Sequence, residues 1–194
     1  MKDSKIILAT TSKSRIQAFK FLNINFESQP SNVDESVLER KNPKELVKEL
    51  SRLKAEAVIK NNPNSIVIGF DSIGFFNGQI LEKPKSKKEI FNRLKSISGN
   101  KHEFYTGIYA INTSSSKTIS KVVKTEMIMR NISEYEINKY IEQDENYNTY
   151  ALGYDPLGNY SSTFIKEIKG SYNNITRGIP LEIIPELLLE IEKK

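Results

Sequence analysis

The 194-residue sequence contains no cysteine and a single histidine, His102. The absence of cysteine excludes disulfides, thiolate metal sites and cysteine catalysis, and it makes the cytoplasm the expected location. With one histidine, Ser-His-Asp triads, Cys-His pairs and histidine-based zinc sites fit poorly, so we expect His102 to be structural. Carboxylates, lysines and arginines remain, and these residue types suit metal-assisted phosphate chemistry.

Long hydrophobic runs are also missing. The longest apolar stretches, such as residues 66–70, have five or six residues, whereas a membrane helix needs roughly 18 or more. The opening residues show no apolar segment followed by small residues, so no secretory signal is expected. Hydrophobic residues make up 38% of the chain and charged residues 27%, which is typical of a globular protein.

The formal charge of +5 comes without any long block of lysine or arginine. Such a charge is compatible with nucleic acid, an anionic membrane surface or small phosphorylated ligands. A mildly basic, solvated surface explains it equally well, because the basic residues are scattered along the predicted helices. Charge alone therefore does not identify a partner.

Apolar periodicity, capping residues and turn signals predict alternating strands and helices. The predicted strands cover residues 5–9, 24–28, 65–70, 102–112, 117–129 and 164–168. The predicted helices cover residues 14–22, 43–61, 87–97, 134–142 and 180–192, and Asn77-Gly78 predicts a hairpin turn. Residues 29–42 and 147–162 are expected to be loops. The alternation predicts one α/β domain over residues 1–194, with a mixed sheet flanked by helices.

Hydroxyl and cationic side chains follow the first predicted strand, from Thr10 through Ser12 and Lys13 to Arg15. A helix start of this kind offers backbone N–H groups and positive charge to an anion such as phosphate. Thr11 or Ser12 acting as an ordinary N-cap explains the same residues without a ligand. Both interpretations are open from the residues alone.

Two acidic positions are candidates for chemistry. Glu35 lies in a loop beside Asp34, where two carboxylates could hold Mg²⁺ or could form a solvated acidic turn. Asp71 comes at the end of the most apolar predicted strand, where a buried carboxylate needs a partner or a metal. Alternatively, the strand has reached solvent there and Asp71 begins a turn.

Three further segments carry polar residues of interest. Lys83 precedes Pro84, which holds its backbone extended, although a basic loop before a capped helix is the simpler interpretation. An ordered loop containing Tyr154 and Asp155 could wall a pocket for a base. Arg177 is the only cation between residues 170 and 192. None of these segments is diagnostic by itself.

Taken in order, the motifs resemble the Maf family of septum-formation-inhibitor-like proteins, from about residue 6 to residue 190. The matching segments are LAT-x-S-x-x-R, VDE, LKAEAV, GFDS, LEKP, L-x-x-ISG-x-x-H-x-x-x-TG and I-x-GSYNN followed by GIPL. The resemblance implies a nucleoside triphosphate pyrophosphatase that requires Mg²⁺ or Mn²⁺. It implies an elongated α/β domain whose long, twisted mixed sheet opens into a central cleft, and a possible homodimer.

The resemblance also implies roles for individual residues. Asp71 would accept the proton of the attacking water and, with Glu35, would hold the metal. Triphosphate contacts would come from Thr10, Ser12, Arg15, Lys54 and Lys83. Arg15 and Ser72 match positions tied to substrate choice, while Lys13, Asp155 and Arg177 are carried over from the related inosine triphosphate pyrophosphatase family. Lys54 is expected to be half-buried, because it lies on a long helix beside apolar Leu53 and Ala57.

Several departures from the Maf pattern concern which nucleobase the protein prefers. The family's Ser-Pro-Arg-Arg is replaced by Ser12, Lys13, Ser14 and Arg15, and its Asp-Thr by Asp71 and Ser72. The glutamine usual around residues 155–158 is missing. These changes leave the reaction class in place and the base preference open. The alternative hypothesis is a protein of the same fold that binds nucleotides or nucleic acid without catalysis, whereas the family resemblance makes nucleic acid an unexpected partner.

Overall fold

The computed structural model describes residues 4–193, apart from the side chain of Val37, and organises them around one seven-stranded mixed sheet. The strands are β1 (Lys5–Ala9), β2 (Glu27–Gln29), β3 (Ser65–Phe76), β4 (Gln79–Leu81), β5 (Lys101–Asn112), β6 (Lys117–Met129) and β7 (Ile165–Lys169). Their spatial order is β2-β1-β3-β5-β6-β7, and β4 pairs with β3. The pairs β1–β2 and β1–β3 are parallel, and all other pairs are antiparallel.

Six α-helices flank this sheet in the described part of the chain. They are α1 (Lys13–Lys20), α2 (Pro43–Ile59), α3 (Lys87–Ile97), α4 (Glu134–Gln143), α5 (Tyr172–Arg177) and α6 (Ile184–Glu192). Short 3₁₀ turns lie at Glu35–Val37, Tyr147–Thr149, Tyr160–Thr163 and Leu181–Ile183. The predicted α/β class with a mixed sheet is confirmed. None of the helices described is long and apolar enough to cross a membrane.

Local capping chemistry explains where most helices begin. The Asn42 side chain accepts hydrogen bonds from two backbone N–H groups of α2, and Pro43 occupies its first turn. Ser86 caps α3, and Ser133 forms a capping box with Glu136 at the start of α4. These starts were predicted correctly, because a cap depends on only a few neighbouring residues.

Two predictions about the first half of the chain are wrong. The strand predicted over residues 65–70 continues to Phe76, so Asp71 lies in the middle of β3 rather than at its end. The polar pair Asp71-Ser72 does not stop the strand, because both residues pair with β5. The helical spacing predicts an apolar stripe of Leu46, Leu50, Leu53, Ala57 and Val58 on α2, but Ala57 is exposed and Ala55 is buried instead.

The region before the final helix also differs from the prediction. Residues 172–177 form α5, which was not predicted, and the closing helix begins at Ile184 after a 3₁₀ turn. Ser171 caps α5, and Gly178 ends it in the left-handed conformation. A helix of six residues gains little from its own backbone bonds, so its stability comes mainly from packing. The buried Asn174 contributes by donating to Thr125 Oγ1 at 3.1 Å.

Close contact between α2 and the sheet depends on two glycines. A Cβ on Gly69 of β3 would collide with the Ser51 carbonyl of α2, and a Cβ on Gly107 of β5 would collide with that of Val47. The absence of both side chains lets the helix backbone approach the sheet directly. This approach sets the distance from α2 to the polar residues of β3.

Candidate functional site

A gap along one edge of β3 creates the cleft of this protein. On this edge β1 pairs with β3 only as far as Ala9 and Gly69, and β4 begins pairing at Gly74. Residues 70–73 therefore have no strand on that side within the described chain. A cleft of about 850 Å³ opens at this gap, and Asp71 and Ser72 are among its lining residues.

A shared ammonium group joins three predicted site residues. Lys54 Nζ of α2 lies 2.6 Å from Asp71 Oδ1 and 2.7 Å from Glu35 Oε1. The side chains of Lys54 and Asp71 are 14% and 8% exposed, whereas that of Glu35 is 42% exposed. Lys54 is thus more deeply buried than predicted, and one cation balances two carboxylates from different segments.

Burial perturbs the acid at the centre of this cluster. Removal from water raises the pKa of Asp71 above its ordinary value, because the charged form is poorly solvated in the strand. The positive charges of Lys54 and Arg15 oppose this shift. The result is a carboxylate whose proton affinity is higher than that of an exposed aspartate, which suits a group that takes a proton from water.

Arg15 is held by the protein on three of its N–H groups. Its Nε donates to the Gly178 carbonyl at 3.2 Å, its Nη1 to the Phe70 carbonyl at 3.0 Å and its Nη2 to Ser72 Oγ at 2.8 Å. Ser72 Oγ lies 2.7 Å from Thr106 Oγ1. Arg15 lines the cleft, yet its geometry is that of a brace linking α1, β3 and the loop after α5. Its bond to Phe70 satisfies a carbonyl at the open edge of β3.

The N-terminus of α1 faces the same cleft. Ser12 occupies the N-cap position, but its side chain accepts no hydrogen bond from the helix backbone, so the predicted side-chain cap is absent. Ser12 Oγ lies 3.0 Å from Ser14 Oγ instead, and both residues line the cleft. Thr10 is buried and accepts a bond from the Ser12 N–H. Thr10 and the exposed Lys13 do not line the cleft, so the geometry places them beside it.

Lys83 approaches the cleft from the loop after β4. It is exposed, while the following Pro84 is buried, so the loop is anchored directly beside the lysine. Lys85 and the Arg40–Glu82 ion pair, at 3.1 Å, lie along the same side. Glu35, Lys54, Asp71 and Lys83 all line one cleft. The enzymatic hypothesis requires this convergence.

Asp155 and Arg177 also line the cleft. Asp155 Oδ1 accepts a hydrogen bond from the Leu157 N–H at 2.9 Å. The guanidinium of Arg177 lies over the Phe21 ring, 4.5 Å from its centroid. Helical spacing predicts Phe21 on the apolar face of the first helix, but it is exposed and lies just after α1. The predicted loop wall is present, since residues 154–156 line the cleft.

Some lining residues were missed from the sequence. They are polar or aromatic side chains with no distinctive motif of their own: Gln17, Arg40, Lys85, Thr149, Tyr150 and Thr176. Lys85, two residues after Lys83, could have been found from its position in the same basic loop. The others face the cleft only because of tertiary packing.

Comparisons with known proteins identify a matching family model and similar curated proteins. Residues 5–191 match the family model described as Maf-like protein. A dTTP/UTP pyrophosphatase of Syntrophus aciditrophicus is 35% identical over 191 residues, covering 98% of this chain and 92% of the relative. One from Clostridium perfringens strain SM101 is 38% identical over 180 residues, covering 91% and 92%.

A solved structure supports the fold. The Ham1 protein of Staphylococcus aureus superposes with a TM-score of 0.52 at 18% identity, covering 98% of this chain and 100% of that one. At this identity the likeness concerns the fold alone. The family assignment rests on the match over nearly the whole chain and on the sequence relatives. This chain belongs to the Maf-like protein family.

Proposed function

We propose that this protein is a nucleoside triphosphate pyrophosphatase that releases pyrophosphate and a nucleoside monophosphate. The observation that carries the proposal is the Lys54 ammonium shared by Asp71 and Glu35 inside the cleft. The names of the relatives, dTTP/UTP pyrophosphatases, support dTTP and UTP as the first substrates to test.

The triphosphate is proposed to bind between α1 and the Lys83 loop. The uncapped first turn of α1 offers backbone N–H groups and the positive end of a helix dipole. The hydroxyls of Ser12 and Ser14 supply further donors, and Lys83 and Lys85 supply full charges from the other side. Because a triphosphate carries about four negative charges, this distribution of donors favours its binding and stabilises the leaving pyrophosphate.

Asp71 is the proposed proton acceptor. A water molecule attacks the α-phosphorus, the new bond forms between its oxygen and phosphorus, and its proton passes to the Asp71 carboxylate. The bond from the α-phosphorus to the bridging oxygen breaks, and pyrophosphate leaves with that electron pair. Lys54 orients the carboxylate through its 2.6 Å contact, and its charge also favours binding of the negative phosphates.

The donor set fits a magnesium or manganese ion as cofactor. Among residues 4–193, no group of three or more His, Cys, Asp or Glu side chains could hold a metal alone. Mg²⁺, however, is commonly bound through one or two carboxylates together with substrate phosphates. Asp71 and Glu35, which already face one cation, would hold it here. When bound, the ion would neutralise charge on the phosphates.

Two further properties are proposed on the family resemblance and the composition. A homodimer follows from the resemblance, and light scattering on the purified protein would test it. Action in the cytoplasm is consistent with a chain that contains no cysteine, and cell fractionation would test it.

Pyrophosphate release from a panel of ribo- and deoxyribonucleoside triphosphates, with and without Mg²⁺ or Mn²⁺, tests the proposal. We expect turnover of dTTP and UTP that requires a metal and is lost in Asp71→Asn. Asp34→Asn is the matched control, because Asp34 adjoins Glu35 but does not line the cleft. Release of single phosphates, full activity in Asp71→Asn, or salt-sensitive polynucleotide binding without turnover would refute the mechanism.

A further inference from the structure

One part of the cleft lining is a loop that is held by buried contacts. All of residues 149–157 except Gly153 line the cleft, yet this segment contains only the end of one 3₁₀ turn. Leu152, Gly153 and Tyr154 within this loop are buried. The loop is thus fixed in its middle, where Leu152 and Tyr154 also line the cleft.

Two buried hydrogen bonds and one tight packing contact hold the middle of the loop. Tyr140 Oη donates to the Gly153 carbonyl at 2.9 Å. Tyr154 Oη lies 2.8 Å from His102 Nε2. Gly153 has a φ of 85°, and a Cβ there would collide with Ile90 of α3. The backbone at Gly153 and the ring of Tyr154 are therefore each restricted to one position.

His102 and Tyr154 are polar residues placed in the apolar core. Both residues are 1% exposed, and buried polar groups are destabilising unless they are hydrogen-bonded to each other. Two apolar side chains would fill the same space without any buried polar group, but they would lack the hydrogen bond that fixes the direction of the ring at position 154. Burial also lowers the pKa of His102 to about 4, so the pair stays neutral near pH 7.

The position of Tyr154 controls the residues that follow it. Asp155 and Pro156 come next and line the cleft. Ser161 Oγ donates to the Asp155 carbonyl at 2.7 Å, which fixes the far side of this segment. A shift of the Tyr154 ring would therefore move the wall at Asp155, while the Lys54–Asp71 cluster lies on other elements.

We propose that His102, acting through Tyr154, is a positioning residue that shapes the nucleobase end of the cleft. This inference rests on the proposed function for the identity of the ligand. The apolar lining next to the pair, from Phe104, Leu152 and Pro156, suits a flat base, whereas the phosphate groups are assigned to α1 and the lysines. The pair thus affects base affinity and selectivity more strongly than it affects the phosphate end.

Calorimetric binding of UMP and of pyrophosphate tests this inference separately from turnover. In Tyr154→Phe and His102→Leu we expect the Kd of UMP to rise roughly tenfold, the scale of one lost hydrogen bond. The Kd of pyrophosphate should stay within about twofold of the wild-type value. Because both residues act through the same hydrogen bond, the Kd of UMP for the double variant, His102→Leu with Tyr154→Phe, should equal that for each single variant. His102→Gln keeps a donor and an acceptor and should restore part of the affinity.

Control measurements separate a positioning role from general destabilisation. Ser65→Ala removes a buried hydrogen bond to the Asn62 carbonyl outside the cleft, and it should change neither Kd. In active protein the variants should raise KM for UTP and narrow the preference for pyrimidine over purine triphosphates, with kcat nearly unchanged. An unaltered Kd for UMP in Tyr154→Phe, or equal losses for UMP and pyrophosphate, would overturn the inference. If wild-type protein releases no pyrophosphate, the proposed function is wrong. The Kd values for UMP and pyrophosphate would still show whether His102 and Tyr154 position the base end of the cleft.

Discussion

Acid should destabilise this protein partly through His102. In the folded chain burial lowers the pKa of His102 from 6.5 to about 4, and the backbone of Asn100 opposes the shift only in part. Between these two values the unfolded chain binds a proton at this position and the folded chain does not. The free energy of unfolding therefore falls as the pH is lowered from 6.5 toward 4, and it is highest above pH 6.5.

The size of the effect follows from the two pKa values. One pKa unit corresponds to about 1.4 kcal/mol, so the full shift is worth about 3 kcal/mol once the pH is below both values. At pH 5 the loss amounts to about 2 kcal/mol. Because His102 is 1% exposed, little of this is screened by solvent. This loss is a substantial part of the free energy of unfolding of a typical domain, which is roughly 5–15 kcal/mol.

Urea unfolding at pH 7.5 and pH 5.0 measures this loss. Wild-type protein is compared with His102→Gln, which cannot titrate at this position but keeps hydrogen-bonding groups. Other groups that titrate in this range, such as Glu and Asp, contribute to both proteins and cancel in the difference. We expect the wild type to lose about 2 kcal/mol more than the variant. Equal losses in the two proteins would show that His102 is not held neutral by burial.

Three other perturbations have defined outcomes. Asp71→Asn should abolish pyrophosphate release. Because burial raises the pKa of Asp71, kcat/KM of the wild type should begin to fall, as the pH is lowered, at a higher pH than an ordinary carboxyl group would give. A pH–rate profile in which kcat/KM falls only at or below about pH 4 would contradict this. Gly107→Ala should cost roughly 1–3 kcal/mol in urea unfolding, because α2 must move away from the sheet, and should lower kcat by displacing Lys54; an unchanged unfolding midpoint would contradict it. Ser133→Ala should cost about 1 kcal/mol through loss of the α4 cap, with kcat unchanged; a variant of wild-type stability would show that the cap contributes little.

The sequence was informative at several positions where structure depends on near neighbours. The caps at Asn42, Ser86 and Ser133 predicted three helix starts, and Asn77-Gly78 predicted the turn between β3 and β4, where both residues have positive φ. These features arise from side chains that satisfy backbone groups two or three residues away. No information from distant parts of the chain is needed to find them.

Features that depend on distant pairing were missed. The continuation of β3 past Phe70 could not be inferred from its residues, because Asp71 and Ser72 are poor strand formers and only pairing with β5 holds them in place. The helix α5 is too short to show periodicity, although its Ser171 cap and Gly178 stop are both visible in the sequence. Likewise, Arg15 was predicted as a phosphate ligand from its motif, while its three contacts to the protein depend on the fold.

The position of Asp71 within β3, rather than at its end, explains how its burial and its access to a ligand are compatible. A mid-strand residue is normally enclosed by neighbours on both sides, but here β1 has ended and β4 has not begun. The strand stays rigid because β5 pairs with it along the other edge. Arg15 donates to the Phe70 carbonyl, which has no strand partner on this edge in the described chain, so the open edge does not require another strand. The carboxylate is thus desolvated enough to raise its pKa, while the gap beside it admits a ligand.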